Sequence, residues 1–174
     1  MSVFLAVDLD APTRTLAASL IETQRAIFPK AKWLRIDKLH CTIVFLGHPG
    51  ADQLEQWRPL IDSLASRHRR FTLRLQGAGT FVTARAPSVL WLGMTGQLEP
   101  LAALHHDSLA TFAAQEREFI PHVTLARSQT PGDFETLSKD LASFSSADFE
   151  VTGLSLYEST SEVYRVVHAA ALRA

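Results

Sequence analysis

Two short segments of this chain share one form. His40-Cys41-Thr42-Ile43 and His122-Val123-Thr124-Leu125 both alternate a polar residue with an apolar one. Side chains alternate across a strand, so each segment, as a strand, sets its histidine and threonine on one face roughly 6.5 Å apart. The apolar residues take the opposite face. The motifs stand 82 positions apart in a chain of 174 residues, close to half its length. A fold must bury two such apolar faces and leave two polar faces that can look at each other. Two similar lobes about an approximate twofold axis meet that demand.

The rest of the chain agrees with this reading. Apolar runs predict strands over 3–9, 32–36, 39–46, 89–94 and 121–127, and two closing strands over 149–157 and 163–172. Phe71, Leu73 and Leu75 alternate with polar residues as a half-buried strand, after which Gly77 and Gly79 are expected to loosen the chain. A first helix is expected after Asp10 as N-cap, with Leu16, Leu20, Ile21, Ile27 and Phe28 at helical spacing and Pro29 as its stop. A second, over 52–68, carries Leu54, Trp57, Ile61 and Leu64, and Pro59 is expected to kink or split it. Helices are also predicted over 98–112 and, shorter, over 133–144. Strand, helix and strand thus recur twice, with no low-complexity linker between. One two-lobed domain over 1–174 is expected.

Composition removes several classes of function. Hydrophobic residues make up 47% of the chain, enough for a packed core. Lysine and arginine number 17 against 18 acidic residues, a net charge of −1. Proteins that grip long nucleic acid without sequence preference carry a basic excess. An RNA partner is therefore expected to be a short piece such as a strand end. Cys41 is the one cysteine, so no disulfide can form within the chain. The N-terminus lacks a basic region, and Asp8 and Asp10 interrupt its apolar stretch, unlike a secretory signal. No run reaches the roughly 18 apolar residues of a membrane span. A cytoplasmic monomer is the expectation.

The chemistry to expect of two facing histidines is proton transfer. An imidazole titrates near 6.5, so close to neutrality one ring can take a proton while another gives one. The threonine hydroxyls can donate to phosphoryl oxygens. A lone histidine on a strand is more often an ordinary packed residue; two with the same neighbours at matching positions point to a shared pocket.

The strings Leu39-His40-Cys41-Thr42-Ile43-Val44-Phe45-Leu46-Gly47 and Phe119-Ile120-Pro121-His122-Val123-Thr124-Leu125-Ala126-Arg127 resemble the paired H-x-T-x motifs of the two-histidine phosphoesterase superfamily. They are most similar to its RNA 2′,3′-cyclic phosphodiesterase branch, also called 2′-5′ RNA ligase-like. The resemblance extends to Phe4-Leu5-Ala6-Val7, Lys32-Trp33-Leu34-Arg35, Val89-Leu90-Trp91-Leu92-Gly93 and Leu156-Tyr157-Glu158-Ser159, and so spans nearly the whole chain. It implies an α+β fold, bilobal and pseudo-symmetric, with antiparallel sheets lining a central groove and helices outside. It implies hydrolysis of a terminal 2′,3′-cyclic phosphate to a 2′-phosphate without metal or other cofactor. The partner would be an RNA end or a small cyclic-phosphate nucleotide. His40 would protonate the departing 3′ oxygen and His122 would activate water, while Thr42 and Thr124 would hold phosphoryl oxygens. The chain departs from the family at Ser161-Glu162-Val163, where a glycine often precedes the tyrosine matching Tyr164, and this places the closing turn in question.

Other residues have two readings. Arg127 can bind a phosphate, but strict alternation puts it with Val123 and Leu125, where an ion pair or a stem over the core is the alternative. Parity places Phe45 in the core and Cys41 away from the pocket as a small buried hydrophobe. Trp91 and Tyr157 suit core packing or stacking on a base. Arg35 and Lys38 precede the first motif and have the groove within reach. Arg67-His68-Arg69-Arg70 reads as a solvated helix end or an RNA-contacting rim. His105-His106-Asp107 lacks metal-ligand spacing. The same acid and base can run the reverse reaction, a 2′-5′ ligation, and a module that binds a nucleotide phosphate without turnover is the alternative from another class.

Overall fold

Alternating and continuous apolar runs need neighbours that complete their backbone hydrogen bonds, and here they find them in a single antiparallel sheet. The computed structural model describes residues 1–83, 86–130, 132–161 and 163–174, and for 83, 86 and 87 the backbone only. The strands are β1 (Ser2–Asp8), β2 (Lys32–Trp33), β3 (His40–Gly47), β4 (Phe71–Thr83), β5 (Ala86–Gly96), β6 (His122–Ser128), β7 (Ser145–Val151), β8 (Gly153–Ser159) and β9 (Tyr164–Ala171). The helices are α1 (Ala11–Ile27), α2 (Ala51–Arg67), α3 (Leu98–Phe112) and α4 (Glu135–Asp140). Among the described residues the sheet order is β7-β4-β5-β6-β3-β1-β8-β9, with the short β2 added against β6.

The sheet has two arms. One runs from β3 through β1 and β8 to β9; the other runs from β6 through β5 and β4 to β7. They meet where β3 and β6 pair antiparallel at Cys41 and Val123. These are the two lobes expected of an α+β, bilobal chain, but they are not its two halves. The chain builds β1 and β3 in the first arm, with α1 against β7 and β2 against β6 of the second in between, then makes β4 through β7 in the second arm and returns as β8 and β9. The strand expected over 149–157 is therefore two strands broken at Thr152, because the chain changes arms there.

The helix-side face of the sheet holds the core. Val3, Leu5 and Val7 of β1, Ile61 and Leu64 of α2, Leu101 and Leu104 of α3 and Leu137 of α4 belong to one buried cluster. The other face of β1 carries Phe4 and Ala6, packed on Tyr157. Burying β1 on both faces explains its unbroken apolar run. Burial of a large apolar side chain contributes roughly 1.5–3 kcal/mol, and the core has dozens of partners over which to spread it.

Several local expectations are corrected. In α1 the buried positions are Thr13, Ala17 and Ile21, while Leu16 and Ile27 are exposed. The Asp10 cap stands, its carboxylate accepting from the Thr13 N–H at 2.9 Å. Pro59 does not split α2: it lies on the exposed face, and Ile61, Leu64 and Ala65 lock the helix to the core. The strand expected over 32–36 stops at Trp33, and a 3₁₀ turn, Ile36–Lys38, follows. Gly77 and Gly79 do not end β4, which runs on to Thr83. Gly77, at φ +67, sits at an irregularity where its N–H turns to the Phe144 carbonyl at 2.8 Å. Glu162, at the departure from the family pattern, lies outside the described residues. The turn around it is held by Thr160, whose N–H donates to the Val163 carbonyl at 3.0 Å and whose hydroxyl accepts from the Val163 N–H at 3.1 Å. Among the described residues no helix is long and apolar enough to cross a membrane.

Candidate active site

Strands β3 and β6 carry the two histidine motifs side by side at the join of the arms, and their burial runs in one pattern. His40 to Phe45 and His122 to Arg127 each read half-buried, buried, half-buried, buried, buried, exposed. The doubled burial has a cause. Against β1, Leu5 pairs with Val44 but Ala6 with Thr42, so Ile43 is an extra residue. Against β5, Leu90 pairs with Ala126 but Trp91 with Thr124, so Leu125 is extra. Each motif strand thus bulges directly after its threonine, and a bulge shifts the parity of every side chain beyond it. Phe45 and Arg127, both assigned by strict alternation to the apolar face, turn to the histidine face instead.

All five residues singled out in the sequence line one cavity of about 230 Å³: His40, Thr42, His122, Thr124 and Arg127. Phe4, Phe45 and Tyr164 also border it. A cavity of about 670 Å³ opens beside it, sharing Thr42, Phe45 and His122 and extending to Trp57, Phe112 and Phe119.

The imidazoles are held alike. His40 Nδ1 lies 2.7 Å from the Lys38 carbonyl, and His122 Nδ1 lies 2.7 Å from the Ile120 carbonyl. A carbonyl only accepts, so Nδ1 carries the proton in both rings and Nε2 is left as the working nitrogen. In the neutral ring His40 Nε2 accepts from the Thr42 hydroxyl at 3.0 Å. Aromatic rings fix both planes. His40 stacks on Phe4 at 4.7 Å and on Tyr157 at 5.7 Å, with Tyr164 edge-on at 5.5 Å. His122 meets the edge of Phe81 at 4.9 Å and the indole of Trp91 at 5.9 Å.

The electrostatics differ between the two. Burial pushes His40 down from 6.5 to about 4; the Lys38 carbonyl and the nearby Asp8 carboxylate oppose it. His122 is also lowered, first by burial, against the Ile120 carbonyl, and then by the neighbouring Arg127 guanidinium. At His40 the Asp8 carboxylate favours the imidazolium while His122 and Arg14 disfavour it; at His122 the Arg127 guanidinium disfavours it. Asp8 is paired across from His40 on the adjacent strand. It accepts from Tyr157 at 2.5 Å and Ser155 at 2.7 Å and pairs with Arg14 at 3.5 Å. Burial and the hydrogen bond to Asp8 raise Tyr157 above its usual range, so it stays a donor. The sequence reading missed Asp8 and Phe4; an acidic residue ending an otherwise apolar strand was the available signal.

Other positions resolve plainly. Cys41 is fully buried and its thiol is pushed up to about 12 by burial. Tyr157 is buried against Phe4 and not open to a base, and Trp91 packs over Gly79 beside His122. His105 donates to the Ile43 carbonyl at 2.7 Å and stacks on Phe119, while Asp107 pairs with His68 at 3.0 Å. Arg69 donates to the Ala174 carbonyl and Arg70 faces Glu150, so that run is tied to neighbouring chain.

Residues 12–162 match the family model of the 2′-5′ RNA ligase superfamily, and the chain belongs to that family. The RNA 2′,3′-cyclic phosphodiesterase of Thermotoga maritima is 26% identical over 97% of this chain and 94% of its own length. That of Thermus thermophilus is 31% identical over 75% of this chain and 70% of its own. Among solved structures, TT0787 of Thermus thermophilus superposes with a TM-score of 0.76 at 25% identity, covering 99% of this chain and 98% of that one. LigT of E. coli in apo form gives 0.73 at 26% identity with the same coverage.

Proposed function

We propose that this protein hydrolyses a terminal 2′,3′-cyclic phosphate on RNA to a 2′-phosphate, with His40 as general acid and His122 as general base. The observation that carries the reading is the pair of imidazoles, each with Nδ1 tied to a carbonyl so that Nε2 is the remaining ring nitrogen, lining one cavity with two threonines and an arginine. The names of the relatives agree with it, and LigT of E. coli has been crystallised with 3′-AMP and with phosphate.

In this reaction water attacks phosphorus opposite the 3′ oxygen and its proton passes to His122 Nε2. The bond from phosphorus to the 3′ oxygen breaks, and that oxygen takes the proton from His40 Nε2. Exchange with solvent resets both rings. The roles are those the resemblance implies; Asp8 opposes the lowering of His40 by burial, while at His122 burial is joined by Arg127. The entering phosphate anion favours the imidazolium at His40 once water is displaced. Thr42, Thr124 and Arg127 are placed to hold the non-bridging oxygens as charge develops.

The test is product analysis with a short oligonucleotide ending in a 2′,3′-cyclic phosphate. A 2′-phosphate product is expected. His40→Ala and His122→Ala should each lower kcat by at least about 100-fold with the fold retained. A 3′-phosphate product, or near-normal turnover by either variant, refutes the assignment.

A further inference from the structure

A second cavity, of about 300 Å³, adjoins the histidine pocket and shares Leu34, Arg127 and Tyr164 with it. Four cations line it: Lys32, Arg35, Lys38 and Arg127. Among the described residues no carboxylate lines it, and Arg35 alone has an acidic partner, Asp37 at 3.0 Å. Lys38 lies over the Tyr164 ring at 4.7 Å. Lys32 stands directly opposite Arg127 in the β2–β6 register. Like charges directly opposite on paired strands destabilise them, and β2 is only two residues long. A chain with net charge −1 has concentrated positive charge at this one mouth of its pocket. The larger cavity on the other side differs, with Arg117 and Glu118 both on its wall.

We infer that this basic cavity is a subsite for the phosphodiester one nucleotide upstream of the terminal cyclic phosphate, so that the RNA strand enters over β2 and the Ile36–Lys38 turn. An anion there relieves the repulsion between Lys32 and Arg127 and occupies Lys38, which among the described residues has no carboxylate partner to displace. Arg127, bordering both cavities, joins the two phosphates. The short substrate expected from the overall charge is thereby given a direction and a minimum length of two nucleotides for full recognition. The inference rests on the proposed reaction for the identity of the adjoining group.

The test compares uridine 2′,3′-cyclic phosphate with the dinucleotide UpU bearing the same terminus, using Lys32→Ala and Arg35→Ala. Each variant should lower kcat/KM for the dinucleotide about tenfold, through KM. The mononucleotide should be hydrolysed as by wild type. The fall of log kcat/KM with log salt for the dinucleotide should be shallower by about 0.7 in slope. Lys32→Ala should hold or raise Tm, since it removes a repulsive cross-strand pair. Equal losses on both substrates, or none on either, overturn the subsite. If wild type turns over neither substrate, the proposed reaction fails and calorimetry decides the subsite separately. Wild type should then bind UpU 2′-phosphate more tightly than uridine 2′-monophosphate, and Lys32→Ala should shrink the difference. Absence of that difference in wild type overturns the subsite as well.

Discussion

His40 and His122 hold their rings by the same contact, Nδ1 to the carbonyl two residues upstream, yet their charged neighbours differ: Asp8 and Arg14 beside His40, Arg127 beside His122. Both are lowered, so in the free protein each needs more acid than an ordinary histidine to become charged. A reaction that needs one ring charged and one neutral then has a bell-shaped kcat/KM with both limbs below 6.5. Activity per free enzyme is expected to fall as pH rises through neutrality. A kcat/KM that climbs from pH 6.5 to 8 refutes this. Asp8→Asn keeps an acceptor for Tyr157 and removes the charge that supports the imidazolium at His40. The limb that reports His40 should move to lower pH, read from the same profile.

At the scale of elements, the bulges in β3 and β6 decide which side chains enter the pocket. They turn Phe45 and Arg127 inward and send Val44 and Ala126 to the core. The β4–β5 pair supports His122 from the side through Phe81 and Trp91, and here a glycine is required by contact. A Cβ built on Gly79 meets the Trp91 ring at 2.4 Å. Gly79→Ala should displace the indole, destabilise the protein by about 1–3 kcal/mol and lower kcat by loosening His122. Tm, tryptophan fluorescence and turnover read the three effects. Unchanged fluorescence with normal kcat means that Trp91 does not position the histidine.

For the molecule as a whole, the buried histidine face couples protonation to folding. Unfolded, His40 takes a proton near 6.5; folded, only near 4. Between these values the unfolded chain binds the extra proton, so stability rises with pH across that window and is lost on acidification through it. His122 adds in the same direction. The fall of Tm from pH 6.5 to 4 should be shallower in His40→Gln, which cannot titrate. An identical slope in that variant shows that His40 does not contribute to acid unfolding.

The alternation of His40 with Thr42 and of His122 with Thr124 was enough to pair these residues on two polar faces, because strand periodicity is local and needs only neighbours in sequence. The capped start of α1, the burial of Cys41 and the α+β, bilobal architecture were legible for the same reason or through the resemblance those motifs carry. The inward turn of Phe45 and Arg127 was not legible, because a bulge is created by mismatch with β1 and β5, strands distant from them in the chain. Nor was the return of β8 to the side of β1, which brings Tyr157 and Ser155 onto Asp8 and Tyr157 against His40. Charge balance read along the chain comes out near neutral; only the pairing of β2 with β6 gathers Lys32, Arg35, Lys38 and Arg127 around one opening. Local pattern determined which residues could do chemistry, while long-range strand pairing decided their neighbours, their fields and the side from which a substrate can approach.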